Sequence, residues 1–433
     1  MDTNSLKIYD NPPRDLWPAL TARVLRNDRD ITEQVAGILS EVRAGGDEAL
    51  RRIARRIEGV AQERFEVLEE QFEEASKSIS AALKEALATA KANIEAFHRA
   101  QLPPPVEVET LPGVRCLQRA VPIRRVGLYV PGGKAPLLST VLMLAVPARI
   151  AGCREIVLCT PAGRDGRIAP GILYAAALCG VGRVFSLGGA QAIAAMAYGT
   201  ESVPRVDKIF GPGNRYVTRA KQLVSLDAAA IDLPAGASEV LVLADAGASP
   251  DFVAADLLSQ AEHGGDSQAL LVCDDAAFAR SVRNAVERQT AASGRHEIIR
   301  ESLAQSRIIV LGTTDGMVDF TNTYAPEHLI VALRDPWPVA DRITAAGSIF
   351  VGDYSPESAG DYASGTNHTL PTGGWARACN GVNTESFLRK ITYQELTREG
   401  LEALAPAIVA MAEAEGLEAH ADAVRIRLKG GAR

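Results

Sequence analysis

Between residues 126 and 210 the chain alternates short apolar runs with longer stretches of helical periodicity, and few folds accommodate that alternation. Residues 126–130, 155–159, 183–187 and 208–210 read as strands, while 141–151, 171–179, 191–197 and the stretch through Tyr216 and Lys221 read as helices. Glycine-containing turns join them, Gly188-Gly189 and Gly211-Pro212-Gly213-Asn214 among them. A strand–helix–strand unit has to cross over, so its strands run parallel and are covered on both faces. A second run of the same texture begins at Glu239-Val240-Leu241-Val242-Leu243-Ala244 and continues through strands at 269–273, 306–310 and 329–332, with helices between them. The expectation is an α/β fold of two doubly wound, Rossmann-like domains, with ligands in the crevice at the carboxyl ends of the strands.

The flanks read differently. Ile31, Val35, Ile38, Leu39 and Val42 fall at helical spacing and Gly45-Gly46 stops that helix; a second opens near Asp47, and a longer one covers 72–97. His98, at a helix end, reads as a solvated or capping histidine. Leu102-Pro103-Pro104-Pro105 is a stiff break, after which Val114-Arg115-Cys116-Leu117 reads as a strand. From Thr384 the pattern turns helical again and ends in Val424-Arg425-Ile426-Arg427-Leu428, an alternating, strand-like tail suited to packing on a partner. These breaks predict an N-terminal helical region over 1–110, α/β domains over 111–236 and 237–380, and a C-terminal helical tail over 381–433.

Composition sets limits. A chain of 433 residues, 47% hydrophobic and 23% charged, suits a soluble globular protein. A net charge of -7 with scattered arginines offers no concentrated basic surface, so no nucleic-acid partner is expected. The longest apolar stretch, 137–153, is interrupted by Pro147 and Arg149 and is too short to span a bilayer, so no membrane is expected. Met1-Asp2-Thr3-Asn4-Ser5 has neither the basic start nor the apolar core of a secretory signal. The six cysteines show no Cys-x-x-Cys spacing and read as reduced, mostly buried thiols of a cytoplasmic protein.

Four segments gather titratable groups beside glycine or proline. In Ser259-Gln260-Ala261-Glu262-His263-Gly264-Gly265, Gln260 and His263 stand three apart on a helix that the glycines end, which is ligand spacing or an ordinary capped histidine. Tyr324-Ala325-Pro326-Glu327-His328 sets a carboxylate next to an imidazole: in a regular strand they would point apart, whereas after the proline both can reach one cleft and divide acid/base work. The glycine-punctuated loop 355–368 carries Asp361, a hard oxygen ligand, and His368. Near the end, Glu415 and His420 stand in a polar stretch. Together, Gln260, His263, Asp361 and His420 offer a donor mix suited to Zn²⁺.

In that order and spacing, Gly211-Pro212-Gly213-Asn214, Pro234-Ala235-Gly236-Ala237-Ser238-Glu239, the Gln260/His263 and Glu327-His328 segments, Gly360-Asp361-Tyr362-Ala363-Ser364-Gly365-Thr366-Asn367-His368 and Gly416-Leu417-Glu418-Ala419-His420 resemble the histidinol dehydrogenase family, which completes histidine biosynthesis. The resemblance implies an aldehyde dehydrogenase-like fold and a cytoplasmic homodimer that oxidises L-histidinol twice, through the aldehyde, to L-histidine, using zinc and two NAD⁺. It implies that Gln260, His263, Asp361 and His420 hold the metal, that His328 is the base and Glu327 activates water, and that Ser238, His368 and Glu415 contact substrate. Tyr129, Gln191 and Asn214 match NAD-contacting positions, and in the family the C-terminal segment can complete the partner's site, which leaves Glu415 and His420 to act either in cis or in trans. One departure is Ala237, where the family pattern has proline. Rival readings are a related zinc dehydrogenase acting on another primary alcohol, and a metal-dependent hydrolase with Glu327 as base, which would turn over without NAD.

Overall fold

The computed structural model describes residues 6–23, 29–59, 63–132, 136–163, 165–234 and 236–430; the segment 1–5, Gly133 and Lys134 in the turn after the strand read at 126–130, and Ala235 of the Pro234–Glu239 motif lie outside the described residues. The strands are β1 Lys7–Asp10, β2 Val106–Leu111, β3 Val114–Pro122, β4 Arg125–Tyr129, β5 Glu155–Thr160, β6 Arg183–Ser186, β7 Lys208–Phe210, β8 Ala230–Ile231, β9 Glu239–Ala244, β10 Gln268–Cys273, β11 Arg307–Val310, β12 His328–Ala332, β13 Ser348–Val351 and β14 Leu388–Leu396. The helices used below are α1 Arg29–Ile53, α2 Glu69–Ser78, α3 Ala81–Arg99, α4 Leu138–Ala151, α5 Pro170–Leu178, α6 Gly189–Tyr198, α7 Arg215–Val224, α8 Pro250–Ala261, α9 Ala276–Ala292, α10 His296–Leu303, α11 Thr314–Tyr324, α12 Glu357–Tyr362, α13 Arg398–Ala414 and α14 Glu418–Lys429.

The chain divides into two compact units, one of residues 1–101 and 123–386, the other of Leu102–Pro122 and Phe387–Arg433. The first carries two parallel sheets, ordered β6-β5-β4-β7-β8 and β1-β11-β10-β9-β12-β13. The second sheet shows why unbroken apolar runs make such strands. All six residues of β9 and of β10 are buried. Val240, Val242 and Ala244 enter one apolar cluster while Leu241 and Leu243 enter another on the opposite face, as the period of two requires. In the first sheet, α1 lays Ile31, Val35, Leu39 and Val42 against Val157, Phe185, Ile193 and Met196. Its helical path breaks at Gly46, whose φ of +50° admits glycine readily.

The second unit holds the antiparallel sheet β14-β3-β2 and the helices α13 and α14. Four sequence expectations give way in the flanks. Leu388–Leu396 is a strand paired along its whole length with β3, not helix. Conversely, 424–428 belongs to α14: Ala421 and Val424, three apart, are the buried pair, while Ile426 is exposed, so helical burial overrides the local alternation. β1 adds a parallel edge strand to the second sheet through β11, inside a region that reads as helical. His98 is fully buried rather than solvated, its Nδ1 against the Ile94 carbonyl at 2.9 Å and its Nε2 against the Asn367 amide at 3.3 Å.

Candidate active site

The first sheet changes direction between β4 and β7, where strand order runs outward both ways, and the loops leaving their carboxyl ends open a crevice there. Tyr129 ends β4 and accepts a hydrogen bond on its hydroxyl from Gly189 N at 3.1 Å, at the start of the helix that carries Gln191. β7 runs into Gly211, at φ +116°, where a Cβ would lie 2.1 Å from the Tyr129 carbonyl oxygen. That turn is anchored on both sides: Asp232 accepts from Gly211 N at 2.7 Å, and buried Lys221, paired with Asp232 at 2.5 Å, donates to Gly211 O at 2.8 Å. Asn214 then caps α7 by accepting from Tyr216 N and Val217 N. The structure thus brings Tyr129, Gln191 and Asn214 to one edge of this sheet.

In the second sheet the site forms at the amino edge, not the carboxyl edge that the sequence reading expected. Ser238 and Glu239 enter β9, Glu327 and His328 enter β12, and Gln260 and His263 stand at the C-terminal end of α8, which runs antiparallel to its strands. A pocket of about 810 Å³ lies between the two edges, lined by Pro131, Pro212 and Asn214 on one side and Ser238, His263 and Thr372 on the other. That volume is in the range of small-molecule and cofactor sites.

Behind the pocket, Glu327 and His328 are 5% and 4% exposed. Ala325 caps α11 with φ +52°, Pro326 follows, and regular pairing of β12 begins only at His328, which leaves Glu327 outside the strand's alternation. Both side chains therefore turn to one side, with Glu327 Oε2 3.7 Å from His328 Nδ1. Glu239 holds the pair with its main chain. Its N–H donates to Glu327 Oε2 at 2.8 Å, and its carbonyl lies 3.2 Å from His328 Nδ1. Nε2 of His328 is buried and, among the described residues, has no hydrogen-bond partner, so it is the ring nitrogen left open to a ligand. The Glu239 side chain in turn takes two hydrogen bonds from Arg23, at 3.0 and 2.8 Å, and one from Gly373 N. Arg23 also lies over the Tyr324 ring.

Asp361 Oδ1 stands 3.6 Å from His328 Nε2, and Glu357 Oε1 is 3.7 Å from Nδ1. The Gln260 amide, with its nitrogen turned to Glu357, donates to Oε1 at 3.0 Å and reaches the Glu239 carbonyl at 3.2 Å. Ligand atoms of His263, Glu357 and Asp361 all fall within 4.8 Å of one another. Burial pushes the carboxyls of Glu327 and Glu357 up to about 8. Burial alone would strip the proton from His328, but the carboxylates of Glu357, Glu327 and Asp361 outweigh it and push its pKa up to about 10; a cation held by these carboxylates would oppose that influence and favour the neutral, basic ring. Three carboxyls around one imidazole, with His328 Nε2 and Glu357 Oε2 lacking partners, form a donor set that fits a divalent cation.

His368 is committed at both ring nitrogens, Nε2 to Thr140 Oγ1 and Nδ1 to the Asp361 carbonyl, each at 3.0 Å, and burial holds its pKa low. Glu415 and His420 lie in the second unit, Glu415 capping α13 and His420 in the first turn of α14, both exposed. All six cysteines are free, and burial pushes Cys153, Cys179 and Cys273 up to about 12, which makes them poor nucleophiles. Among the described residues no helix is long and apolar enough to cross a membrane. Glu357, Glu239 and Arg23 belong to the site as well, though their local sequence does not single them out. The exception in part is Glu357, since Glu357 and Asp361 stand four apart and share a helix face.

The histidinol dehydrogenase family model matches residues 21–428. The chain belongs to the histidinol dehydrogenase family. It is 54% identical to the Bacteroides thetaiotaomicron histidinol dehydrogenase over 98% of this chain and 99% of that one, and 55% identical to the Shigella sonnei enzyme over 99% and 97%. The crystal structure of histidinol dehydrogenase from Elizabethkingia anophelis superposes with a TM-score of 0.96 at 46% identity, covering 98% of each chain. The chain is therefore an oxidoreductase of histidine biosynthesis, and the paired parallel sheets are the family's fold.

Proposed function

We propose that the chain oxidises L-histidinol to L-histidine in two NAD⁺-linked steps through the aldehyde, at a zinc site of Gln260, His263, Asp361 and His420. The observation that carries this reading is the buried Glu327-His328 pair, with Glu327 Oε2 3.7 Å from Nδ1 and Asp361 Oδ1 3.6 Å from Nε2, held by Glu239 beside a pocket whose other wall is the strand-end edge of the first sheet. Bound zinc would supply a fixed anchor for the substrate's imidazole and amine. Bound NAD⁺, held by Tyr129, Gln191 and Asn214, would supply the hydride acceptor.

The residues then divide the proton work. His328 takes the hydroxyl proton of the alcohol through Nε2 in the first oxidation and that of the hydrated aldehyde in the second. Glu327 takes a proton from the water that adds to the aldehyde, a task suited to a carboxyl whose pKa burial has raised toward neutrality. Ser238 at the pocket wall and His368, fixed by Thr140 and Asp361, border the substrate. Overall the alcohol and one water yield the carboxylate, two NADH and three protons. Glu415 and His420 are read as completing the site of a second copy, in a homodimer.

The test is the NADH yield on limiting L-histidinol, before chelation, after it, and after zinc is restored. Two NADH per substrate, lost on chelation and regained with zinc, is the expected result. One per substrate would mean that the aldehyde is released and would sink the Glu327 role. Turnover without NAD would favour the hydrolase reading, and no oxidation of histidinol would favour another primary alcohol.

A further inference from the structure

Glu357 has no task in the reaction above, yet it is 1% exposed at the centre of the site. It opens α12, four residues before Asp361. Its Oε1 accepts from the Gln260 amide nitrogen at 3.0 Å and lies 3.7 Å from His328 Nδ1, while Oε2 has no hydrogen-bond partner. A carboxylate in so dry a place is costly, and its retention calls for a role.

Glutamine is an unusual metal ligand because its amide has two ends of nearly equal shape, of which a cation accepts only the oxygen. Free to rotate, Gln260 would present the wrong end part of the time. A carboxyl oxygen beside it reduces that ambiguity, since it accepts from the N–H₂ and repels the carbonyl oxygen. We propose that Glu357 is a positioning residue that commits the nitrogen of Gln260 and so delivers the Gln260 carbonyl oxygen to the metal. The inference rests on the zinc reading given above. It assigns Glu357 an effect through Gln260, in contrast to direct ligation, which its distance from His263 and Asp361 also permits.

A double-mutant cycle on zinc affinity separates these. Zinc Kd is measured by competition with a chromophoric chelator for the wild-type apoprotein, Asp361→Ala, Glu357→Leu, Glu357→Gln, Gln260→Ala, and each Glu357 variant combined with Gln260→Ala, with melting curves to verify folding. Wild type should take one zinc per subunit and Asp361→Ala should lose it. Glu357→Leu should weaken zinc by about 10- to 100-fold, the usual loss for a group that orients a ligand. Glu357→Gln, which keeps an acceptor but no charge, should lose about threefold to tenfold. In the Gln260→Ala background either change should alter Kd by less than about twofold, because the amide to be oriented is gone.

A further tenfold loss in that background would make Glu357 a direct ligand and overturn the proposal. An unchanged Kd in the single variants would overturn it equally while leaving the zinc reading intact. If wild type binds no zinc, the zinc reading falls and this inference with it. Should Glu357→Leu fail to fold, Glu357→Gln and its combination with Gln260→Ala carry the same comparison.

Discussion

Replacing Arg23 with methionine should destabilise the chain by about 3–4 kcal/mol, and replacing Glu239 at the same time should recover much of that loss. The pair is well enclosed, with side chains 20% and 3% exposed, and is joined by two hydrogen bonds of 3.0 and 2.8 Å. Removing one partner of a buried ion pair costs roughly 3–5 kcal/mol, mostly because the remaining charge is stranded. Loss of the cation over Tyr324 adds about 1 kcal/mol, and the hydrogen bond from Gly373 N, which still solvates Glu239, offsets a similar amount. The assay is urea unfolding followed by the fluorescence of Trp17, a tryptophan buried against Phe320. With a slope of about 3 kcal/mol/M, Arg23→Met should lower the midpoint by about 1 M. In Arg23→Met/Glu239→Gln no charge is stranded, so the coupling energy should reach about 2 kcal/mol. A double variant as unstable as the sum of the two singles would refute the argument, since it would mean that the pair contributes nothing as a pair.

Glu327→Gln should impair aldehyde oxidation by at least about tenfold more than NADH-driven aldehyde reduction, which needs no water activation; equal losses in the two assays would contradict its assigned role. Mixing His420→Ala with His328→Ala should restore about a quarter of wild-type activity if His420 serves the partner's site, because half of the dimers would be mixed with one intact site each; without subunit sharing the mixture stays inactive. Lys221→Met should raise the KM for NAD⁺ more than it lowers kcat and should cost about 3–5 kcal/mol, since it strands Asp232 and releases the Gly211 turn. Burial raises the Asp256 pKa from 3.8 to about 7, so the folded state holds a proton that the unfolded state has released, and stability falls as pH rises between those values. Asp256→Asn should therefore stabilise by up to about 4 kcal/mol above pH 7 and by nothing near pH 3, checked by melting temperature across that range.

The α/β core was legible because its strands are buried on both faces and therefore read as unbroken apolar runs; β9 and β10 begin and end within a residue or so of where the sequence places them. The flanks were harder for a physical reason. The residues of β14 are mostly exposed, and what makes them a strand is a register with β3 more than 260 residues earlier, which no local pattern carries. His98 was misjudged because its burial depends on Asn367, equally remote. In the site, Gln260, His263, Glu327, His328 and Asp361 were visible as chemistry beside glycine and proline. Arg23 and Glu239 were not, because their importance comes from Glu239's main chain, which holds Glu327 and His328 whatever its side chain is. The location of the site at the amino edge of the second sheet was likewise hidden, since sequence order alone does not say which end of a strand faces the ligand.

The two longest-range strand pairings impose a schedule on synthesis. β1 pairs with β11 and β3 with β14, so Lys7 waits for Arg307 and Pro122 for Leu388. At roughly 5–20 residues per second, each early strand is out of the ribosome for about 15–60 s before its neighbour exists. During that interval the β2–β3 hairpin offers an unpaired edge to other nascent chains, and its glutamates and arginines, Glu107, Glu109, Arg115 and Arg119, are the kind of residues that keep such an edge from being joined by the wrong strand.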